Sequence, residues 1–116
     1  MSVALTEDAV VERRKTVTRR VGWRFLKPGD TLTLCRKVQG RKPGDPLVRL
    51  AEVEVVSVRR EGLGRILQYG RLETAREGFP HMWPSDFIDF FTREMRCTPD
   101  TQITRIEWRY LEGGSS

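Results

Sequence analysis

The run from Val48 to Val58 constrains the fold of this chain more than any other segment. It is a long run rich in β-branched residues, which reads as a strand, and from Ala51 to Val55 apolar residues alternate with glutamates. The alternation then slips. Val53 and Val55 share one phase, Val56 and Val58 the other. A one-residue slip would turn every later side chain to the wrong face, so the run demands a β-bulge or bend near Val55–Val56. A long strand bent in this way suits a sheet curling toward a barrel.

The other segments supply partners for it. Thr31 to Val38 alternates and follows the turn signal Lys27-Pro28-Gly29-Asp30. Gln39 to Pro46 is rich in Gly and Pro and reads as a hairpin connection. Ile103 to Leu111 alternates cleanly, with Ile106, Trp108 and Tyr110 on one face and Arg105, Glu107 and Arg109 on the other. The β-branched trio Thr16-Val17-Thr18 argues for extension before the turn at Gly22-Trp23. Three segments read as helical. Thr6-Glu7-Asp8 starts a short helix ending near Arg13 or Arg14, a hydroxyl followed by first-turn acids. Leu63 to Arg76 reads as one helix with Leu67, Leu72 and Ala75 inward, broken by Gly78-Phe79-Pro80. Ser85 is the expected cap of a helix from Asp86 to Met95, with Phe87, Ile88, Phe90 and Phe91 as its apolar face. Gly113 to Ser116 is expected to fray. Strands interrupted by helices make a small α+β domain with a curved, mostly antiparallel sheet.

At 116 residues this is one domain, large enough to bury a core without staples. The formal net charge of +5 favours an anionic partner, RNA or a nucleotide, without requiring one. No apolar run is long enough for a signal peptide or membrane span, so the chain is expected in the cytoplasm with no membrane partner. Cys35 and Cys97 lie far apart and read as two thiols in a reducing compartment. With His81 as the single histidine, neither a zinc site nor a Ser-His-Asp triad is expected, and no metal or cofactor is implied.

Chemistry concentrates in Arg14-Lys15-Thr16-Val17-Thr18-Arg19-Arg20. An ammonium, hydroxyls and guanidinium groups crowd one short segment, and Glu77 stands apart downstream. Such a set can grip phosphate, or a lysine and a threonine with a carboxylate brought in from elsewhere can perform acyl transfer. On the residues alone Lys15 is a basic side chain among others, Thr18 a strand former and Glu77 a helix-end charge. Trp23 and Trp83 are equally able to stack a base or fill a core.

The order R-K-T-V-T-R-R, then K-P-G-D opening a strand, then E-G-F before a helix, resembles the ASCH domain, a branch of the PUA-like β-barrel superfamily. The resemblance spans residues 7–111. The usual ASCH signature is G-x-K-x-x-E-x-R, and residues 13–20 fall in that register. Lys15 and Arg20 match; Arg13 replaces the glycine and Thr18 the glutamate. Lysine followed three residues later by threonine resembles the small bacterial ASCH enzymes that hydrolyse N4-acetylcytidine to cytidine with a lysine, a threonine and a glutamate. The resemblance therefore implies a PUA-like β-barrel flanked by two or three helices, and a metal-independent amidohydrolase with Lys15, Thr18 and Glu77 as its catalytic set. It implies Arg19, Arg20, Trp23 and Phe79 as substrate-binding residues and an acylated cytosine nucleoside or nucleotide as substrate. RNA binding without catalysis, and RNA cleavage, are the alternatives. One tension follows. On an ideal strand Lys15 and Thr18 point to opposite faces, so the chain must turn between them, with Lys15 at the helix end before regular extension begins.

Overall fold

The structure is a computed structural model and describes residues 1–36 and 48–112. Four antiparallel strands form its sheet: β1 (Val17–Arg20), β2 (Thr31–Cys35), β3 (Arg49–Gly62) and β4 (Gln102–Tyr110), in the order β1-β4-β3-β2. The expected Gln39–Pro46 hairpin and the fraying Gly113–Ser116 tail lie outside the described residues. β3 carries the bulge that its sequence demands. Val55 pairs with Trp108 and Ser57 with Glu107, which leaves Val56 as the extra residue, turned to solvent. The strand runs on past the apolar stretch to Gly62, so Arg59 and Arg60 are strand residues.

The bulge lets both faces of β3 and β4 be used. On one face Val53, Val55, Ile106 and Trp108 pack with Leu34, Leu26, Val10 and Val3. On the other, Ile103 packs with Leu63, Ile66, Phe87, Ile88 and Phe91. The sheet is curved but does not close into the expected barrel among the described residues: β1 and β2 remain edges. The N-terminal segment spans the gap instead. Ser2 bridges Cys35 of β2, and its carbonyl accepts a hydrogen bond from Arg20 of β1 at 2.8 Å.

Helix α1 (Glu7–Val11) follows a 3-10 turn at Ala4–Thr6. Its end is set by backbone geometry. Arg13 adopts a left-handed φ of 61°, Arg13 N–H donates to Val10 O and Arg14 N–H to Ala9 O. This is a Schellman closure, which glycine usually serves. Arg13 therefore carries a side chain in a conformation that glycine usually serves, and its guanidinium lies 5.8 Å from the centre of the Tyr110 ring.

The segment read as one helix over Leu63–Arg76 is three pieces: a 3-10 turn Leu63–Arg65, α2 (Ile66–Tyr69) and α3 (Arg71–Arg76). Gly70, at φ 81°, breaks the rotation between them. A single 3.6-residue projection through that break puts the wrong residues inside. Leu67 and Leu72 are exposed, Ala75 is half-buried, and the buried positions are Leu63, Ile66, Glu73 and Thr74. Helix α4 (Pro84–Met95) starts two residues earlier than a Ser85 cap would place it. Pro84 takes the first helical position, where its missing N–H costs nothing, and the Asp86 carboxylate accepts the Trp83 N–H at 3.1 Å. Its expected apolar face is the observed one, with Phe87, Ile88 and Phe91 buried and Phe90 half-buried. Cys35 and Cys97 are free thiols. Among the described residues no helix is long and apolar enough to cross a membrane.

Candidate active site

The end of α3 meets the segment leading into β1. Glu77 caps α3 and Gly78 follows at φ 100°, with Gly78 N–H donating to Ala75 O and Phe79 N–H to Thr74 O. A helix end leaves carbonyls without partners and carries partial negative charge. Both unsatisfied carbonyls are taken by the incoming chain: Thr16 N–H donates to Arg76 O at 2.8 Å, and the Lys15 ammonium donates to Glu77 O at 2.5 Å. The same Nζ lies 3.3 Å from Glu77 Oε1. Lys15 is itself held by its carbonyl, which accepts from Trp108 Nε1 at 3.0 Å and from the Tyr110 hydroxyl. Lys15 thus lies after α1 and before β1, outside regular extension, as the sequence required.

Gly78 is needed twice over. Its backbone is left-handed, and a Cβ there would sit 2.8 Å from Thr6 Cγ2. Gly78→Ala is expected to destabilise the fold by about 2–3 kcal/mol, read as a lowered urea midpoint, because strain and a steric clash add.

Strand β1 is an edge, and this resolves the opposed directions of Lys15 and Thr18. Thr18 and Arg20 share one face of β1, while Arg19 takes the other and reaches Glu73 and Glu77, and one cleft is lined from both. It holds about 300 Å³ and is lined by Lys15, Thr18, Arg19, Arg20, Glu77 and Phe79, with Ser2 to Thr6 on one side and Phe90, Phe91 and Met95 of α4 on the other. Lys15, Thr18 and Glu77 are each only 3% exposed. Thr18 is oriented by Arg20, whose Nε donates to its hydroxyl at 3.3 Å. Among the described residues it makes no hydrogen bond to Lys15 or Glu77. Phe79 walls the cleft, its ring 5.3 Å from that of Phe90.

Two expected substrate contacts sit elsewhere or do something else. Trp23 does not line the cleft; its φ of 60° in the Gly22–Trp23 turn accompanies a ring packed 5.5 Å from Phe25 and against the Trp108 side of the core. Arg19 reaches the cleft but is 3% exposed, with its fork engaged by carboxylates: one terminal nitrogen is 2.9 Å from Glu77 Oε2 and the other 2.6 Å from Glu73 Oε2.

Glu73 and Arg105 were not singled out by the sequence. Glu73 is completely buried and also accepts from Arg105, at 2.6 and 3.1 Å. Two signals were there to be read. Glu73 and Glu77 are four apart and share a helix face, and Arg105 is an arginine on the strand that pairs with β1. Burial of an acidic residue runs against its ordinary preference, which hid the first.

Burial pushes the Lys15 ammonium below its ordinary value of 10.5, and Arg20 and Arg19 push the same way against the opposing pull of Glu77. Burial would raise the Glu73 carboxyl, yet the hydrogen bonds and charges of Arg105 and Arg19 outweigh it and hold it low. For Lys15 the linkage sign is fixed. Between its lowered folded value and 10.5 the unfolded chain binds more protons, so stability rises with pH across that window. The stability of the wild type relative to Lys15→Met should therefore climb with pH between the lowered folded value and about 10.5 in urea titrations.

No family model matches the chain, and neither does any curated protein. Solved structures do match. A protein from Enterococcus faecalis aligns with a TM-score of 0.65 at 18% identity, covering 97% of this chain and 74% of that one. An ASCH protein from Zymomonas mobilis aligns with a TM-score of 0.60 at 14% identity, covering 94% and 64%. The ASCH domain from Lactobacillus crispatus aligns with a TM-score of 0.57 at 13% identity, covering 91% and 70%. Backbone agreement over nine-tenths of the chain, together with the Lys15-to-Arg20 register at the β1 edge, gives this α+β domain the fold of the ASCH-domain proteins.

Proposed function

We propose that this protein is an amidohydrolase that removes the N4-acyl group of acylated cytosine nucleosides, N4-acetylcytidine to cytidine and acetate. The observation that carries the reading is a buried lysine of lowered basicity in hydrogen-bond contact with Glu77, in the cleft that Thr18 also lines. A lysine can accept a proton near neutral pH only when burial and neighbouring cations favour its neutral form.

In this reading the Thr18 hydroxyl attacks the acyl carbonyl as its proton passes to neutral Lys15. The C–N4 bond breaks, Lys15 returns the proton to the leaving nitrogen, and the acyl group rests on Thr18 as an ester. Water then attacks the ester as Lys15 accepts its proton; the bond to the Thr18 oxygen breaks, Lys15 returns the proton to that oxygen, and the acyl group leaves as acetate. Arg20 points its Nε–H at the Thr18 oxygen and leaves the hydroxyl proton free to face Lys15. Glu77 keeps the amine in place and accepts from the exocyclic N–H, while Phe79 offers a ring to the base. Contacts between catalytic groups commonly tighten only when substrate binds, so the Thr18 hydroxyl is expected to approach Lys15 in the complex.

Incubation with N4-acetylcytidine, followed by the loss of its absorbance and the release of acetate, tests the reading. Turnover supports it; a folded protein that leaves N4-acetylcytidine intact rejects it. Such a protein would then be examined as an RNA-binding module, the alternative that the +5 net charge favours. Binding that weakens steeply with salt would establish that role, and cleavage of labelled single-stranded RNA would identify a ribonuclease.

A further inference from the structure

Among the described residues the buried charged side chains form one balanced set. Lys15, Arg19 and Arg105 are its cations; Glu61, Glu73 and Glu77 are its carboxylates. Arg19 and Arg105 stand directly opposite each other across β1 and β4. Like charges in that position repel, and Glu73 lies between them, 2.6 Å from each guanidinium. Arg19 then reaches Glu77 at 2.9 Å, and Glu77 reaches Lys15 at 3.3 Å. An unbroken path of contacts thus runs from the interior of α3 to the candidate catalytic amine.

A network of this kind is a poor way to hold a helix to a sheet. Taking several charges out of water costs about as much as their attraction returns, and apolar residues of equal volume do the task as well or better. What the network supplies is direction. Each Glu77 oxygen has its own partner, Oε1 toward Lys15 and Oε2 toward Arg19, so the carboxylate cannot rotate.

We propose that Glu73 is a positioning residue for the reaction assigned above: through Arg19 it clamps the Glu77 carboxylate, and it balances the cations that surround the Lys15 amine. This rests on the amidohydrolase reading for its catalytic meaning but not for its electrostatics. Arg20 of β1 also acts on the Lys15 amine, and Glu94 of α4 lines the same cleft. Arg76 flanks Glu73 from the solvent side, and Arg59 flanks Glu61. Tyr69 of α2 closes the far end, its hydroxyl on Glu61 and its ring 5.4 and 5.1 Å from Arg19 and Arg105.

The test is the titration of the Lys15 amine in the intact protein, read by carbon-13 NMR of labelled lysine, since the chain has only four lysines. Glu73→Gln keeps an acceptor and removes the charge. Lys15 should then titrate at lower pH than in the wild type, and the acidic limb of kcat/KM should move down with it. The kcat should fall about tenfold or more as Glu77 loses its clamp, with KM little changed. Arg105→Gln removes the cation on the far side of Glu73, and Lys15 should titrate at higher pH; this variant also stands in should Glu73→Gln fail to fold. Opposite shifts in the two variants support the proposal. Lowered melting temperatures with the Lys15 titration unmoved in both would overturn it and leave the network purely structural. If the shifts appear but N4-acetylcytidine is untouched, the amidohydrolase reading fails while the control of Lys15 by Glu73 stands.

Discussion

Lys15→Ala is expected to lower kcat/KM for N4-acetylcytidine by about 100- to 10 000-fold, the usual worth of a positioned general base. The loss should fall on kcat, because the amine acts on a proton in flight and adds little to ground-state binding. Lys15→Arg separates base from charge. A guanidinium stays protonated at any accessible pH, so it preserves the cation beside Glu77 while removing the proton acceptor. It should be as inactive as alanine. Activity retained in Lys15→Arg would show that the amine serves only as a charge, and full activity in Lys15→Ala would end its catalytic assignment. Circular dichroism belongs beside both measurements, because the Lys15 ammonium also caps the Glu77 carbonyl at the end of α3.

The largest effect on stability is expected at Glu73. Glu73→Ala leaves Arg19 and Arg105, both nearly inaccessible, without the carboxylate they share. Breaking a buried ion pair from one side costs about 3–5 kcal/mol, which in a domain of this size lowers the melting temperature by roughly 15–25 °C. Glu12 gives the contrast. It pairs with Arg14 at 2.7 Å, but both side chains are about half exposed, and Glu12→Ala should change stability by less than about 0.5 kcal/mol. The Glu73 contribution also has a definite pH dependence. Its folded carboxyl is held below the ordinary value of 4.5, so the stabilisation is fully present above that value and is lost as pH falls through the folded one. Acid unfolding should therefore begin at higher pH in Arg105→Gln than in the wild type, because one of the groups holding the carboxyl low is gone. An unchanged acid midpoint in that variant would count against it.

Much of the fold could be read from local patterns. The slip at Val55–Val56 announced the bulge, because one face of a pleated strand cannot keep its phase through two adjacent valines. The Phe87, Ile88 and Phe91 stripe of α4 and the Ile106–Trp108 face of β4 were likewise legible, since each answers to a single unbroken period. The failures have the same physical origin. Across Leu63–Arg76 the period is broken at Gly70, so a projection from sequence placed Leu67 and Leu72 inside when they are exposed. At the start of α4, Pro84 in the first helical position with Trp83 as the cap overrode the expected Ser85 cap.

The sequence by itself determined most of the elements, and the family resemblance it carries singled out the candidate reacting groups: a lysine entering a strand, a threonine three residues on, and a glutamate before a glycine. It did so because strand period, turn chemistry and motif spacing are local properties. Only the tertiary structure decided that Lys15 lies against the C-terminus of α3, 62 residues away in the chain. It also decided that Arg19 holds Glu77 where substrate contact was expected, and that Glu73 completes a neutral buried network. Those outcomes depend on which carbonyls a helix end leaves unpaired, on which arginines the β1–β4 register sets opposite each other, and on the need to neutralise charge that burial has removed from water.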